Sequence, residues 1–192
     1  MTQPATTELL LIRHAPALTE GRMAGRRDVA ADCSDGGAIA ALRAAVGSFD
    51  HLVISPALRC RQTAAALWPE LKVETDARLW EQDFGAWEGL PFADLPDLGP
   101  LALPDLAAHC PPGGESFLGL THRATPALQD AIALGGRVAI IAHAGIIRAS
   151  LGMAMNAAAQ GLAFQIAPLS LTTMTAFPGG AFSISGVNRI WR

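Results

Sequence analysis

Three short stretches of the chain are apolar at every position, and each ends in a polar residue. Residues 9–12 lead into Arg13-His14, residues 52–54 into Ser55, and residues 138–142 into His143. Runs without alternation predict strands covered on both faces, as in a parallel sheet. The segments between them repeat at helical spacing. Ser34 is placed to cap a helix running to about Val46, with Ile39, Leu42, Arg43 and Val46 at helical intervals. Ser55 is placed to cap a second helix, with Pro56 at its first position and an end near Pro69. A third pattern covers residues 116–134 and contains Pro126, which is expected to kink or divide it. Two further strand patterns, residues 171–177 and 182–187, flank Pro178-Gly179-Gly180 and predict a hairpin.

This order predicts an α/β fold, a three-layer sandwich with a mostly parallel central sheet flanked by helices. Residues 1–192 read as a single domain. One stretch breaks the alternation: residues 91–112 hold six of the thirteen prolines and read as an insertion of irregular backbone with one helical turn around Leu106. In open parallel sheets ligands bind beyond the carboxyl ends of the strands. Here those ends carry Arg13, His14, Ser55 and His143.

Composition narrows the function. Apolar residues make up 51% and charged residues 16%, the reverse of a disordered chain. The net charge of -3 argues against a nucleic-acid partner held by phosphate neutralisation. Cys33, Cys60 and Cys110 are odd in number and form no Cys-x-x-Cys pair, so neither a disulfide framework nor a zinc site is expected. Residues 1–8 lack the pattern of a secretory signal. The apolar region 144–164 carries Arg148, Asn156 and Gln160, which suits a buried helical segment better than a membrane span. A cytoplasmic protein without a membrane partner is the expectation, with its oligomeric state left open.

Arg13 and His14 cannot both face one pocket from within a strand, because side chains alternate. The strand must end at about Arg13 and leave His14 in the turn. A histidine fixed there can attack through one ring nitrogen while the other donates to a backbone carbonyl. Arg59 and Thr63, four residues apart, share a helix face, while Arg61 points elsewhere. An arginine in the first turn of a helix makes an anion site with the backbone. Residues 79–89 place Glu81, Asp83 and Glu88 among Trp80, Phe84 and Trp87. A carboxyl partly withdrawn from water by such neighbours suits a general acid; local pattern does not choose among the three.

Five segments in order resemble the histidine phosphatase superfamily, with its phosphoglycerate mutase-like fold. They are Arg13-His14-Ala15, the stretch 55–64 with its Ser-Pro-x-x-Arg-x-x-x-Thr-Ala pattern, the stretch 79–89 ending Phe84-Gly85-Ala86-Trp87-Glu88-Gly89, Gly114-Glu115-Ser116, and His143-Ala144-Gly145 with Arg148. The resemblance implies that His14 is the nucleophile that becomes a phosphohistidine. It implies that Arg13, Arg59 and His143 hold the phosphoryl oxygens, that Glu81 is the general acid, and that neither a metal nor a cofactor is needed. The loop Gly25-Arg26-Arg27-Asp28 resembles the family's substrate loop and makes Arg26, or Arg27, a candidate substrate contact. Ala15 and Ala144 stand where glycine is common. The implied activity is metal-independent hydrolysis of a small phosphorylated metabolite, with stretch 79–89 most similar to α-ribazole phosphatases. A phosphoglycerate mutase, a protein phosphohistidine phosphatase and a non-catalytic phospholigand-binding protein are the alternatives.

Overall fold

The computed structural model describes residues 6–191. Residues 1–5, part of the stretch without a secretory pattern, and residue 192 lie outside the described residues. Six strands form one sheet: β1 (Thr7–Arg13), β2 (His51–Ile54), β3 (Glu74–Thr75), β4 (Gly136–Ala142), β5 (Leu171–Ala176) and β6 (Phe182–Arg189). Their order is β3-β2-β4-β1-β5-β6. The first four are mutually parallel, whereas β5 runs antiparallel to β1 and β6 antiparallel to β5.

The described residues include five α-helices: α1 (Gly36–Val46), α2 (Leu58–Leu67), α3 (Leu103–Ala108), α4 (Phe117–Ala133) and α5 (Ala144–Ala154). Alternation along β1 divides the core in two. Leu9 and Leu11 pack with Leu120, Leu128 and Ile147 beneath α4 and α5, while Leu10 and Ile12 pack with Leu42, Cys60 and Leu67 beneath α1 and α2. The continuous apolar runs are explained by this two-sided burial.

The helix starts depart from the sequence reading. Asp35, not Ser34, caps α1 by accepting from Ala38 N at 2.9 Å; the Ser34 N–H instead donates to Asp32 Oδ1. Helix α2 begins at Leu58, two residues later than the serine predicts. Its Leu58 N–H donates to the carboxylate of Asp28 at 2.6 Å, so the cap comes from thirty residues upstream. Pro126 does not divide α4, which is continuous from Phe117 to Ala133. Pro126 and His122 are both exposed, so the missing helical hydrogen bond falls on the solvent side of α4. The two-residue β3 is not predicted, and the apolar region 144–164, read as one buried helical segment, divides into α5 and a 3₁₀ segment, Ala158–Ala163. Stretch 91–112 contains α3, which surrounds Leu106 and packs on α4 and the 3₁₀ segment.

Strand register fixes the site. Arg13 pairs with Ala142 across β1 and β4, and Ile54 with Ile141 across β2 and β4. The next residues, His14, Ser55 and His143, therefore leave three adjacent strands at one edge.

Candidate active site

His14 follows the last residue of β1 and is 4% exposed. Its Nδ1 lies 2.6 Å from the carbonyl oxygen of Ala15. A carbonyl only accepts, so Nδ1 carries the proton and Nε2 presents a lone pair. Burial, reinforced by the charges of Arg59 and Arg13, pushes the His14 pKa down to about 3 against the opposing Ala15 hydrogen bond. The imidazole is thus neutral, as a nucleophile must be. The Ala15 N–H donates to Thr63 Oγ1 at 2.9 Å, and the Thr63 hydroxyl donates to the Arg59 carbonyl at 2.7 Å. Thr63 thereby ties the turn after β1 to the first turn of α2.

Arg59 is 2% exposed, while Arg61 on the same helix is exposed. The Arg59 guanidinium donates to the carbonyls of Arg27 (3.0 Å) and Gly25 (2.7 Å). With the Asp28 cap, this fastens loop 25–28 onto α2. Arg13 sends Nη1 to the Ile166 carbonyl at 2.5 Å. Its Nε is buried and has no partner among the described residues. Burial lowers the Arg13 guanidinium from its ordinary value, and the Glu81 carboxylate opposes this.

His143 sits between β4 and α5 and is wholly buried. Its ring centroid is 5.1 Å from that of His14, in an edge arrangement. Trp80 stacks over it at 6.4 Å, with ring planes 6° apart. Nε2 lies 2.8 Å from Ser55 Oγ, and Nδ1 is buried without a partner among the described residues. Burial, then the charge of Arg59, holds its pKa well below the ordinary value.

The structure separates the three acids that local pattern leaves equal. Glu88 accepts from the backbone N–H groups of Arg26, Arg27 and Phe84 at 2.7–3.1 Å, which makes it a brace for loop 25–28. Asp83 accepts from Gly85 N within its own turn at 2.8 Å. Glu81 is the one turned toward His143: its Oε2 accepts from Gly145 N, in the first turn of α5, at 3.3 Å, and its Oε1 from Gln82 N at 3.0 Å. A methyl group on Gly145 would collide with Glu81 Oε1. The close backbone approach therefore occurs at Gly145, and Ala144 is tolerated.

Arg13, His14, Arg59, Glu81 and His143 are thus grouped at the carboxyl edge of the sheet. Arg26 stands at the rim; its exposed guanidinium lies 3.6 Å from Glu115. Sequence reasoning missed several supports. The sequence places Ser55 both at a strand end beside the site and as a helix cap, but gives no sign of its contact with His143. Arg123 donates to the carbonyls of Arg78, Trp80 and Glu81 and pairs with Glu115, which also receives Asp83 N. The Gly114-Glu115-Ser116 motif was the available signal for that clamp. His109 stacks on Trp87 at 5.4 Å, so the end of the proline-rich stretch braces the segment that carries Glu81. Among the described residues, no three His, Cys, Asp or Glu side chains are grouped to hold a metal ion, and no helix is long and apolar enough to cross a membrane.

Residues 9–189 match the model of the histidine phosphatase superfamily (branch 1). A Mycobacterium tuberculosis protein described as bifunctional is 35% identical over 95% of this chain, which spans 54% of that relative's length. The mycobacterial glucosyl-3-phosphoglycerate phosphatase in complex with VO3 superposes with a TM-score of 0.82 at 25% identity, covering 94% of this chain and 98% of that one. A candidate α-ribazole-5′-P phosphatase from Escherichia coli shares the fold with a TM-score of 0.80 at 18% identity, covering 95% and 96%. The chain belongs to the histidine phosphatase superfamily.

Proposed function

We propose that this member of the histidine phosphatase superfamily hydrolyses a small phosphate monoester through a phosphohistidine formed on His14. The observation that carries the reading is the pairing of a neutral His14, its Nε2 presenting a lone pair, with two buried nitrogens that lack partners among the described residues, Arg13 Nε and His143 Nδ1. Orphaned buried donors are costly unless something accepts from them, and phosphoryl oxygens are such acceptors.

In the first step the Nε2 lone pair attacks phosphorus and the ester P–O bond breaks. Glu81 gives the leaving oxygen its proton. In the second step Glu81 takes a proton from water, whose oxygen attacks phosphorus, and the P–N bond breaks to restore His14. Throughout, the Ala15 carbonyl keeps the proton on Nδ1. Arg13, Arg59 and His143 offset the charge on the transferring oxygens, the main task in phosphoryl transfer. This reading assigns that charge to protein groups and involves no metal.

Arg26 would contact the part of the substrate beyond the phosphate, exchanging its long contact with Glu115 for a substrate anion or oxygen. α-Ribazole 5′-phosphate is the first metabolite to assay, because of the resemblance at 79–89. The three unpaired cysteines fit the cytoplasmic setting expected from the sequence.

The test is a turnover and trapping experiment with an aryl phosphate. Activity should survive a chelator, and an acid-labile phosphoenzyme should form and disappear in His14→Ala. Strict dependence on added magnesium, or an acid-stable label on another residue, would overturn the reading.

A further inference from the structure

A neutral imidazole carries one proton, and the neighbours of its two nitrogens decide which nitrogen keeps it. For His14 the Ala15 carbonyl decides. For His143 the decision falls to a serine that nothing in the proposed chemistry uses. Ser55 Oγ is 2.8 Å from His143 Nε2, and Ser55 is itself wholly buried. A hydroxyl has one hydrogen to give and two lone pairs to receive with. One lone pair is taken by the Ala57 N–H, a long bond at 3.4 Å. The hydrogen remains to be given.

Cys60 is the other group beside Nε2, with Sγ at 3.7 Å. Burial pushes its thiol up to about 12, so the sulfur keeps its hydrogen and is a weak donor and weak acceptor. Two arrangements remain. If Nε2 held the proton, it would donate to Ser55, the hydroxyl would turn to the poorly accepting sulfur, and the thiol hydrogen would be left over. If Ser55 donates to Nε2, the imidazole lone pair, the best acceptor in the cluster, is used. The ring is held for this contact by Trp80 on its face and by His14 at its edge.

We infer that Ser55 is a positioning residue for His143: its hydroxyl donates to Nε2, holds the imidazole proton on Nδ1, and so presents Nδ1–H as the donor for a phosphoryl oxygen. The inference rests on the phosphatase reading for the identity of the acceptor. The opposite tautomer would turn a lone pair toward an anion. Ser55 thus converts the second histidine from an ambivalent ring into a fixed donor, and the positive charge of the site is left to Arg13 and Arg59.

The experiment reads the tautomer directly. The full chain is prepared with isotope-labelled histidine, and the ring signals of His143 are assigned by their loss in His143→Gln. Without any substrate, Nδ1 should show the pyrrole-type signal and Nε2 the pyridine-type signal. In Ser55→Ala the proton should move to Nε2 or exchange between the two nitrogens. The kcat for an aryl phosphate should fall roughly 10- to 100-fold, the scale of loss when the outer partner that orients a metal-bound histidine is removed, with a smaller change in KM. Ser55→Thr, which keeps the hydroxyl, should restore both the signals and the rate. In Cys60→Ala the tautomer should be unchanged; a change there would assign the role to the thiol and overturn the inference. Nε2 protonated in the unaltered protein would also overturn it, and needs no variant that folds. A chain that hydrolyses no phosphate ester would defeat the phosphatase reading alone, because the tautomer is read in the resting protein.

Discussion

The Arg59 guanidinium faces two tasks, holding the carbonyls of Gly25 and Arg27 and facing His14 across a buried site. Replacing it should therefore cost more than one charge. Arg59→Ala is expected to lower kcat for an aryl phosphate by about 10²–10³, the scale for losing a preorganised charge donor. Arg59→Lys should recover little, because an ammonium cannot reproduce the planar fork that reaches two carbonyls at once. Steady-state kinetics of the two variants check this; a lysine variant near full activity would show that the fork is dispensable. Glu81 has a different signature. A good leaving group needs little protonation, so Glu81→Gln should slow alkyl phosphates far more than an aryl phosphate. Equal slowing of both ester types would remove the acid role from Glu81.

Elements bring these side chains together through contacts that can be perturbed one at a time. Gly145 in the first turn of α5 allows Glu81 to approach; an added methyl would meet Glu81 Oε1, the free end of a flexible side chain, and more mildly Leu120 Cδ1 at 3.1 Å, with no backbone among its nearest contacts. Gly145→Ala should therefore leave the thermal midpoint close to that of the parent while displacing Glu81, and should copy the leaving-group pattern of Glu81→Gln. Gly152, in the last turn of the same helix, contrasts with it. There the added methyl would meet backbone of Ala158, whose carbonyl oxygen would lie 2.6 Å away. Gly152→Ala should lower the thermal midpoint without selecting between ester types. Calorimetry with two substrates separates the pair.

What the sequence reveals at this scale follows the same division. The strands β1, β2 and β4 are legible because burial on both faces leaves unbroken apolar runs, and their polar ends mark the site. The five grouped site residues were legible through the motif order. The helix starts were not, because Asp28 caps α2 from another segment and no local pattern records that. β3 was missed because two exposed residues carry no period. The choice among Glu81, Asp83 and Glu88 depends on Gly145 and on loop 25–28, far away in the chain. Ser55 resembled a cap locally, and only the register of β2 against β4 places it beside His143.

The whole molecule has two neutral imidazoles sealed at the carboxyl edge of its sheet, and this links stability to pH. In the unfolded chain a histidine binds a proton below about pH 6.5. In the folded protein burial holds His14 at about 3 and His143 well below its ordinary value. Between these limits the unfolded state binds more protons than the native one, so stability rises with pH. Both contributions are fully present above about pH 6.5 and are lost progressively as pH falls toward the folded values. The full slope for one such histidine is about 1.4 kcal/mol per pH unit, and for two about twice that. The carboxylates of Asp32 and Asp76, whose pKa values are lowered from 3.8 by hydrogen bonds from Ser34 and Arg78 respectively, add the same sign only at lower pH. The interval from pH 6.5 to about pH 4.5 therefore isolates the histidines. Urea unfolding across that interval should show a falling free energy in the parent chain. His14→Gln should remove about half of the slope, and His14→Gln with His143→Gln nearly all of it, whatever the absolute stability of each variant. Parallel slopes in all three proteins would mean that the two rings take up protons in the folded state, and would contradict the neutral His14 on which the nucleophilic role depends.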